Sequence, residues 1–226
     1  MHDSNVLVAI VPMKGHSERV PGKNYRHLAG APLYSYVLEA LLGCDRIGAV
    51  YVDTDSPELG AQVTARFPTV QIIDRPVELH GDFVPMNDIL VHDASVIDAE
   101  WFLQTHTTNP LLTSATVAAA VDDMLAHTDT NDSLMSVTRH QTRLWWGPNQ
   151  PINHNPEELL RTQDLPPVYE ENSSMFIYSR SLIVESRKRV GANPLFFEMD
   201  RIESWDIDEE DDFQMADAFV RFRKAQ

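Results

Sequence analysis

The chain reads as an α/β protein built on a mostly parallel, doubly wound sheet. Two observations predict it. Short apolar runs alternate with segments of helical spacing through the first 137 residues, the pattern that lays strands side by side under helices. The first of those runs, residues 6–11, is unbroken aliphatic and mostly β-branched, as suits a strand covered on both faces. With 226 residues and 43% hydrophobic composition the chain can bury a large core, and residues 1–226 read as a single domain.

The elements follow in order. After the first strand comes a loop of Pro, Gly, Lys, His, Ser and Arg, then a helix beginning near Pro32. In it Leu33, Tyr36, Val37, Ala40 and Leu41 recur at helical spacing, and Cys44 falls at its end as a small core residue. A second strand at 49–52 ends in Asp53-Thr54-Asp55, whose aspartates are expected to shape the turn through backbone bonds. A helix at 58–66, a strand at 70–73, a break at Arg75-Pro76, a helix at 87–98 and a strand at 101–104 come next. Ser114 is expected to cap the helix running to Ala126, and 133–137 reads as a strand. Over 138–171 the alternation stops in a Pro-, Asn- and Trp-rich excursion, read as an inserted arm. Its Trp145 and Trp146 either pack on a second subunit or seal a local mini-core. A strand at 175–178, a helix at 181–189, a short strand at 203–206 and an amphipathic helix at 210–223 complete the chain.

Charge and composition narrow the function. The net charge of −16 repels nucleic acid and anionic lipid, so neither is expected as a partner. No apolar run approaches the length of a membrane span, and residues 1–5 lead into a strand without a signal-peptide pattern, so a cytoplasmic location is expected. One cysteine excludes an internal disulfide and a multi-cysteine zinc site. The nine histidines form neither HExxH nor a pair at zinc spacing; His106 and His154 stand out because both sit in candidate site loops.

Against this acidic background Lys14, Arg19, Lys23 and Arg26 cluster in and just after the first loop. Strand, basic glycine-containing loop, helix is an arrangement that cradles phosphate with backbone N–H groups and cations. The frame is not that of a P-loop: six residues separate Gly15 from Gly22, and Asn24 follows Lys23 where Ser or Thr would stand. GxGxxG is absent as well. Ligands of such sheets sit outside the carboxyl ends of the strands, where Pro12, Asp53 to Asp55, Arg75 and the 104–110 loop all fall. The loop is read as the seat of a nucleoside triphosphate.

Five stretches in order carry a family resemblance. Ile10 to Asn24 is similar, without a gap, to I-I-P-A-R-G-G-S-K-G-I-P-G-K-N. Asp53-Thr54-Asp55, Arg75-Pro76-Val77-Glu78-Leu79-His80-Gly81-Asp82, Arg161-Thr162-Gln163-Asp164-Leu165-Pro166 and Trp205-Asp206-Ile207-Asp208-Glu209-Glu210-Asp211 follow. Over essentially the whole chain the sequence resembles the acylneuraminate cytidylyltransferases, or CMP-N-acylneuraminate synthetases, whose fold is a Rossmann-like nucleotidyltransferase sheet. The resemblance implies attack by a hydroxyl of an acidic sugar on the α-phosphate of CTP, with release of pyrophosphate. It implies Lys14 and Lys23 on the triphosphate and Asp206 and Asp208 as a Mg²⁺ pair, these four being catalytic. Pro12, Met13, Gly15, His16, Ser17, Arg19, Asn24, Arg75 and Asp82 complete the implied nucleotide site. Gln104, His106, Arg161 and Gln163 are implied on the acceptor side, Arg161 as a bidentate partner of the substrate carboxylate. A homodimer through the arm is implied too.

This chain departs from the pattern at Glu18, Arg19, Thr162, Asn172 to Phe176, and Gln104 to Leu112, where a gapless alignment on Pro110-Leu111 sets His106 over the family glutamine. The departures gather on the acceptor half, so the expected acceptor is not sialic acid itself but another nonulosonic acid or a small phosphonate. Two alternatives stand beside it: transfer to the eight-carbon sugar acid of lipopolysaccharide, and a non-catalytic nucleotide-binding module of the same fold, for which Glu18 argues.

Overall fold

The structure, a computed structural model, describes residues 7–17 and 19–225. Residues 1–6 and Glu18, on which several readings above fall, lie outside the described residues.

The parallel half of the sheet follows the expected alternation. Strand β1 (Leu7–Met13) is buried along its whole length. A small hairpin of β2 (His27–Leu28) and β3 (Ala31–Pro32) precedes helix α1 (Tyr34–Leu42). Strand β4 (Ala49–Thr54), helix α2 (Pro57–Arg66), strand β5 (Gln71–Asp74), helix α3 (Met86–Val96) and strand β6 (Trp101–Thr105) continue the pattern. Helix α4 (Ser114–Ala126), strands β7 (Ser133–His140) and β8 (Val168–Ser179), helix α5 (Arg180–Ser186), strand β9 (Pro194–Glu198) and helix α6 (Glu210–Lys224) complete the strands and α-helices among the described residues.

Seven strands form one sheet in the order β5-β4-β1-β6-β8-β7-β9. Only β8 runs against its neighbours, pairing antiparallel with β6 and β7. The alternation of side chains along β1 shows why the sheet is doubly wound. Leu7, Ala9, Val11 and Met13 enter a cluster with Val37, Leu41, Val63 and Val121 from α1, α2 and α4. Val8 and Ile10 enter another, with Leu90 of α3 and Ile183 of α5.

The structure departs from the sequence reading in identifiable places. Thr113, not Ser114, caps α4, its hydroxyl accepting from Thr116 N–H. The excursion is narrower than 138–171, since Thr138–His140 and Val168–Glu171 pair within the main sheet. Between them, 141–167 is closed by Asn153, whose amide accepts from Leu144 N–H and donates to the carbonyls of Thr142 and Pro166. The 203–206 strand is absent: Asp200 accepts from the N–H groups of Ile202 and Glu203, folding that stretch into turns. Strand β9, which no reading placed, lies parallel beside β7 at the edge of the sheet.

Candidate active site

The site is assembled by one apolar cluster. Val20, from the basic loop, and Ile207, from between the two aspartates, are both fully buried with Leu28, Leu33, Leu111, Phe213 and Val220. Their neighbours in the chain are thereby held face to face. Val20 to Lys23 turns tightly, with Lys23 N–H on the Val20 carbonyl at 3.0 Å, Pro21 second and Gly22 third at φ 64°, the requirements of a type II turn. Lys23 Nζ reaches the Ile207 carbonyl at 2.7 Å, and Arg19 reaches Asp208 at 2.5 Å. Arg26 grips Glu210 with two hydrogen bonds, 2.5 and 2.9 Å, and lies 3.9 Å over the Phe213 ring. It therefore fastens loop to helix and does not line the cavity.

A cavity of about 350 Å³ opens above β1. Pro12, Met13, Lys14, His16, Ser17, Arg19, Lys23, Asn24, Asp82 and His106 line it, so ten of the residues expected from sequence meet there. Thr107 and Thr108, from the 104–110 loop that the sequence placed at the ligand end of the sheet, also line it, as does Met86, which nothing in its sequence context marked. Lys14 Nζ donates to the Gly81 carbonyl at 2.9 Å and pairs with Asp82 at 3.2 Å. Asn24 is buried with its amide committed, donating to the Lys14 carbonyl and accepting from Thr107. It fixes the shape of the loop rather than offering a free group.

Asp206 is largely buried and one of its oxygens, Oδ1, has no hydrogen-bond partner. Burial, aided by the charge of Asp208, raises its pKa, the hydrogen bond from Thr108 and the charge of Lys23 opposing the shift. Burial lowers the pKa of Lys23, and Asp206 and Asp208 pull it back. A second cavity of about 570 Å³ adjoins these aspartates, with Thr138, His140, Glu170, Asn172 and Arg201 on its walls. Among the described residues no group of three or more His, Cys, Asp or Glu side chains is placed to hold a metal. A Mg²⁺ ion there would need phosphate oxygens beside Asp206 and Asp208, a shell that ion commonly accepts.

Other sequence-predicted residues lie elsewhere. Gly15 directs its N–H to Asp55 at 2.8 Å, away from the cavity. Arg75 is buried on Asp53 at 2.5 Å, so it supports the strand ends from below and Asp53 does not shape the turn. Gln104 is fully buried, which leaves His106 as the cavity residue of that pair. Arg161 is exposed and paired with Asp164 three residues on, and Gln163 gives its carbonyl to Gln141; neither lines either cavity. His154 packs edge-on to Trp145 within the arm, also outside both cavities.

The chain is similar to known proteins along most of its length. An N-acylneuraminate cytidylyltransferase of Oncorhynchus mykiss is 28% identical over 232 residues, covering 95% of this chain and 50% of the relative. A CMP-N,N'-diacetyllegionaminic acid synthase of Legionella pneumophila is 26% identical over 193 residues, covering 80% and 81%. Against the first of these, and others of similar length, the chain spans about half the relative. A solved CMP:2-keto-3-deoxy-manno-octonic acid synthetase complexed with CTP shares the fold, with a TM-score of 0.72 at 14% identity over 96% of this chain and 99% of that one. No helix among the described residues is long and apolar enough to cross a membrane. Since the model of the family described as cytidylyltransferase matches residues 8–223, this chain belongs to that family.

Proposed function

We propose that the chain transfers CMP from CTP to a hydroxyl of an acidic acceptor, a nonulosonic acid other than sialic acid or a small phosphonate, and releases pyrophosphate. The observation that carries the reading is the meeting of the basic loop, which lines the first cavity, with the aspartate segment, which lines the second: Lys23 on Ile207 and Arg19 on Asp208. Cations line the first cavity, and Asp206 and Asp208 line the second beside it, so a triphosphate held by the cations would carry its counter-ion toward the carboxylates. The relatives named for CMP transfer to sialic-type and legionaminic acids support the choice of nucleotide and acceptor class.

In this reading the acceptor occupies the second cavity and its hydroxyl attacks the α-phosphorus as the bond to the pyrophosphate oxygen breaks. Such a transfer needs positioning and neutralisation of charge more than covalent help. Lys14, released from Asp82, and Lys23 hold the phosphates; Arg19 supplies a further charge. Mg²⁺ bound by Asp206 and Asp208 would neutralise phosphate charge. Arg161 and Gln163 lie on the arm, whose Trp146 and Leu159 are 74% and 87% exposed. An arm with such side chains suits a contact with a second copy of this chain.

The test is pyrophosphate release with CTP, Mg²⁺ and a panel of acids: sialic, legionaminic-type, eight-carbon and phosphonate. Turnover of another nonulosonic acid or a phosphonate in preference to N-acetylneuraminate supports the reading; preference for N-acetylneuraminate, for the eight-carbon acid or for another nucleotide defeats it. Light scattering of wild type and Trp146→Asp tests the dimer.

A further inference from the structure

Every polar position of the buried Gln104 amide is used. Arg189 Nη1 donates to Oε1 at 2.7 Å. Nε2 donates to the Thr105 carbonyl at 3.1 Å and faces Nε2 of His106 at 2.9 Å. The amide thus has one orientation. Turned over, its oxygen would face the Thr105 carbonyl with no proton between them, and its NH₂ would face a guanidinium that has no acceptor. The guanidinium is itself held, 3.7 Å over the Phe176 ring and 4.0 Å from the Glu171 carboxylate. It stays charged under all ordinary conditions.

His106 Nε2 must then accept. An imidazolium, or a ring protonated on Nε2, would set N–H against N–H at 2.9 Å. The ring proton is left on Nδ1. We propose that Arg189 is a positioning residue for the cavity: acting through Gln104, it fixes His106 as the neutral imidazole protonated on Nδ1. The substrate there meets an uncharged donor. The claim about substrate rests on the nucleotide reading above; the claim about the ring does not.

The protonation state is consistent from a second direction. Burial, then the charges of Arg189 and Lys23, push the His106 pKa down to about 4. The consequence is a division of labour around the cavity. Lys14, Arg19 and Lys23 supply charge, while His106 orients an oxygen without adding a cation that would hold the anionic product as firmly as the reacting state.

The test is spectroscopic. The full chain, labelled with ¹⁵N-histidine, is read by long-range ¹H–¹⁵N correlation at neutral pH. His106 is assigned as the pattern missing from His106→Asn, or through bonds from its assigned backbone should that variant not fold. The wild-type ring is expected to show the Nδ1-protonated pattern. Gln104→Glu, close in shape, places an acceptor against Nε2 and should move the proton there. Arg189→Lys can still donate to Oε1 and should keep the wild-type pattern. Arg189→Met should mix the tautomers and raise KM for CTP about tenfold, the scale of one well-made hydrogen bond. A wild-type ring that is an imidazolium or Nε2-protonated overturns the proposal, as does a Gln104→Glu spectrum unchanged from wild type. Calorimetric titration of the same wild-type sample with CTP tests the nucleotide reading separately, so the two fail independently.

Discussion

Lys23 Nζ donates a 2.7 Å hydrogen bond to the carbonyl of Ile207, 184 residues further along the chain. That bond joins the first loop of the sheet to the stretch before the last helix. It forms because Val20 and Ile207 are buried in the same apolar cluster, so hydrophobic packing sets the distance between groups that would otherwise be far apart. The charged residues are carried there by their apolar neighbours.

Replacing Lys23 by Met keeps the apolar stem and removes the cation. CTP turnover should fall about 10²–10³-fold, the size seen when one group that stabilises developing charge is lost. Stopped pyrophosphate-release assays at saturating CTP measure it. A change of less than about threefold would show that Lys23 serves only to tie the loop to Ile207.

The two aspartates should differ. Asp206 is the more buried and has a free oxygen, whereas the Asp208 side chain is half exposed and already paired with Arg19. With CTP present, Mn²⁺ binding followed by electron paramagnetic resonance should weaken about 10-fold or more in Asp206→Asn. Asp208→Asn should weaken it less and should also release Arg19. Equal losses in both variants would contradict this ordering.

Gly15 is required by close approach. A Cβ built there would lie 2.6 Å from Ser56 Cβ and 3.0 Å from its Oγ. Ser56 cannot simply move, because its Oγ caps α2 by accepting from Leu59 N–H. Gly15→Ala should destabilise the protein by about 1–3 kcal/mol. Adding Ser56→Gly, which loses the cap for only about a few tenths of a kcal/mol, should recover most of it. Denaturant melts of the single and double variants decide; additive losses would mean the clash is not the cause.

The sequence was most informative where local periodicity and local packing agree, as in β1, α1 and the alternation through β6. It was least so where polar side chains do structural work inside the sheet. Asn172 looks like a loop residue, yet it is buried, accepting from Ser136 and donating to Thr138 across a bulge that Ser173 enters at φ 56°. The register skips there, which hid the first half of β8. Arg75 misled for the opposite reason: a lone arginine in a loop reads as a ligand, and only the tertiary structure shows Asp53 waiting for it. Arg189 gave no signal, lying in an Arg-Lys-Arg run that reads as solvated surface. The cavity residues of the first loop were legible because chain neighbours supply most of that wall.

The pair of Asp53 and Arg75 makes a last expectation quantitative. Asp93, on α3, is fully buried against it; neither of its oxygens accepts a hydrogen bond, and in the protonated form it donates to Asp53. Tyr178 from β8 also faces it, and its burial, then Asp93, raise the phenol well above the usual range. Burial first, then the charge of Asp53, pushes the Asp93 pKa up to about 9, with Arg75 opposing. In the unfolded chain it returns to the ordinary value of 3.8. The sign follows from the protons bound. Below the unfolded value both states are protonated, and the carboxyl contributes its full stability. Above it the unfolded chain releases a proton that the folded protein keeps, so stability falls until the folded value is passed, by up to about 1.4 kcal/mol per pH unit. Asp93→Asn is neutral throughout, and its amide can donate to the free oxygen of Asp53. Its stability relative to wild type should therefore improve between pH 5 and pH 8, by up to about 4 kcal/mol. Urea melts of both proteins at the two pH values measure the difference, in which the other titrating groups cancel. A difference that stays flat, or runs the other way, would mean that Asp93 is ionised in the folded protein and that Arg75 carries two carboxylates.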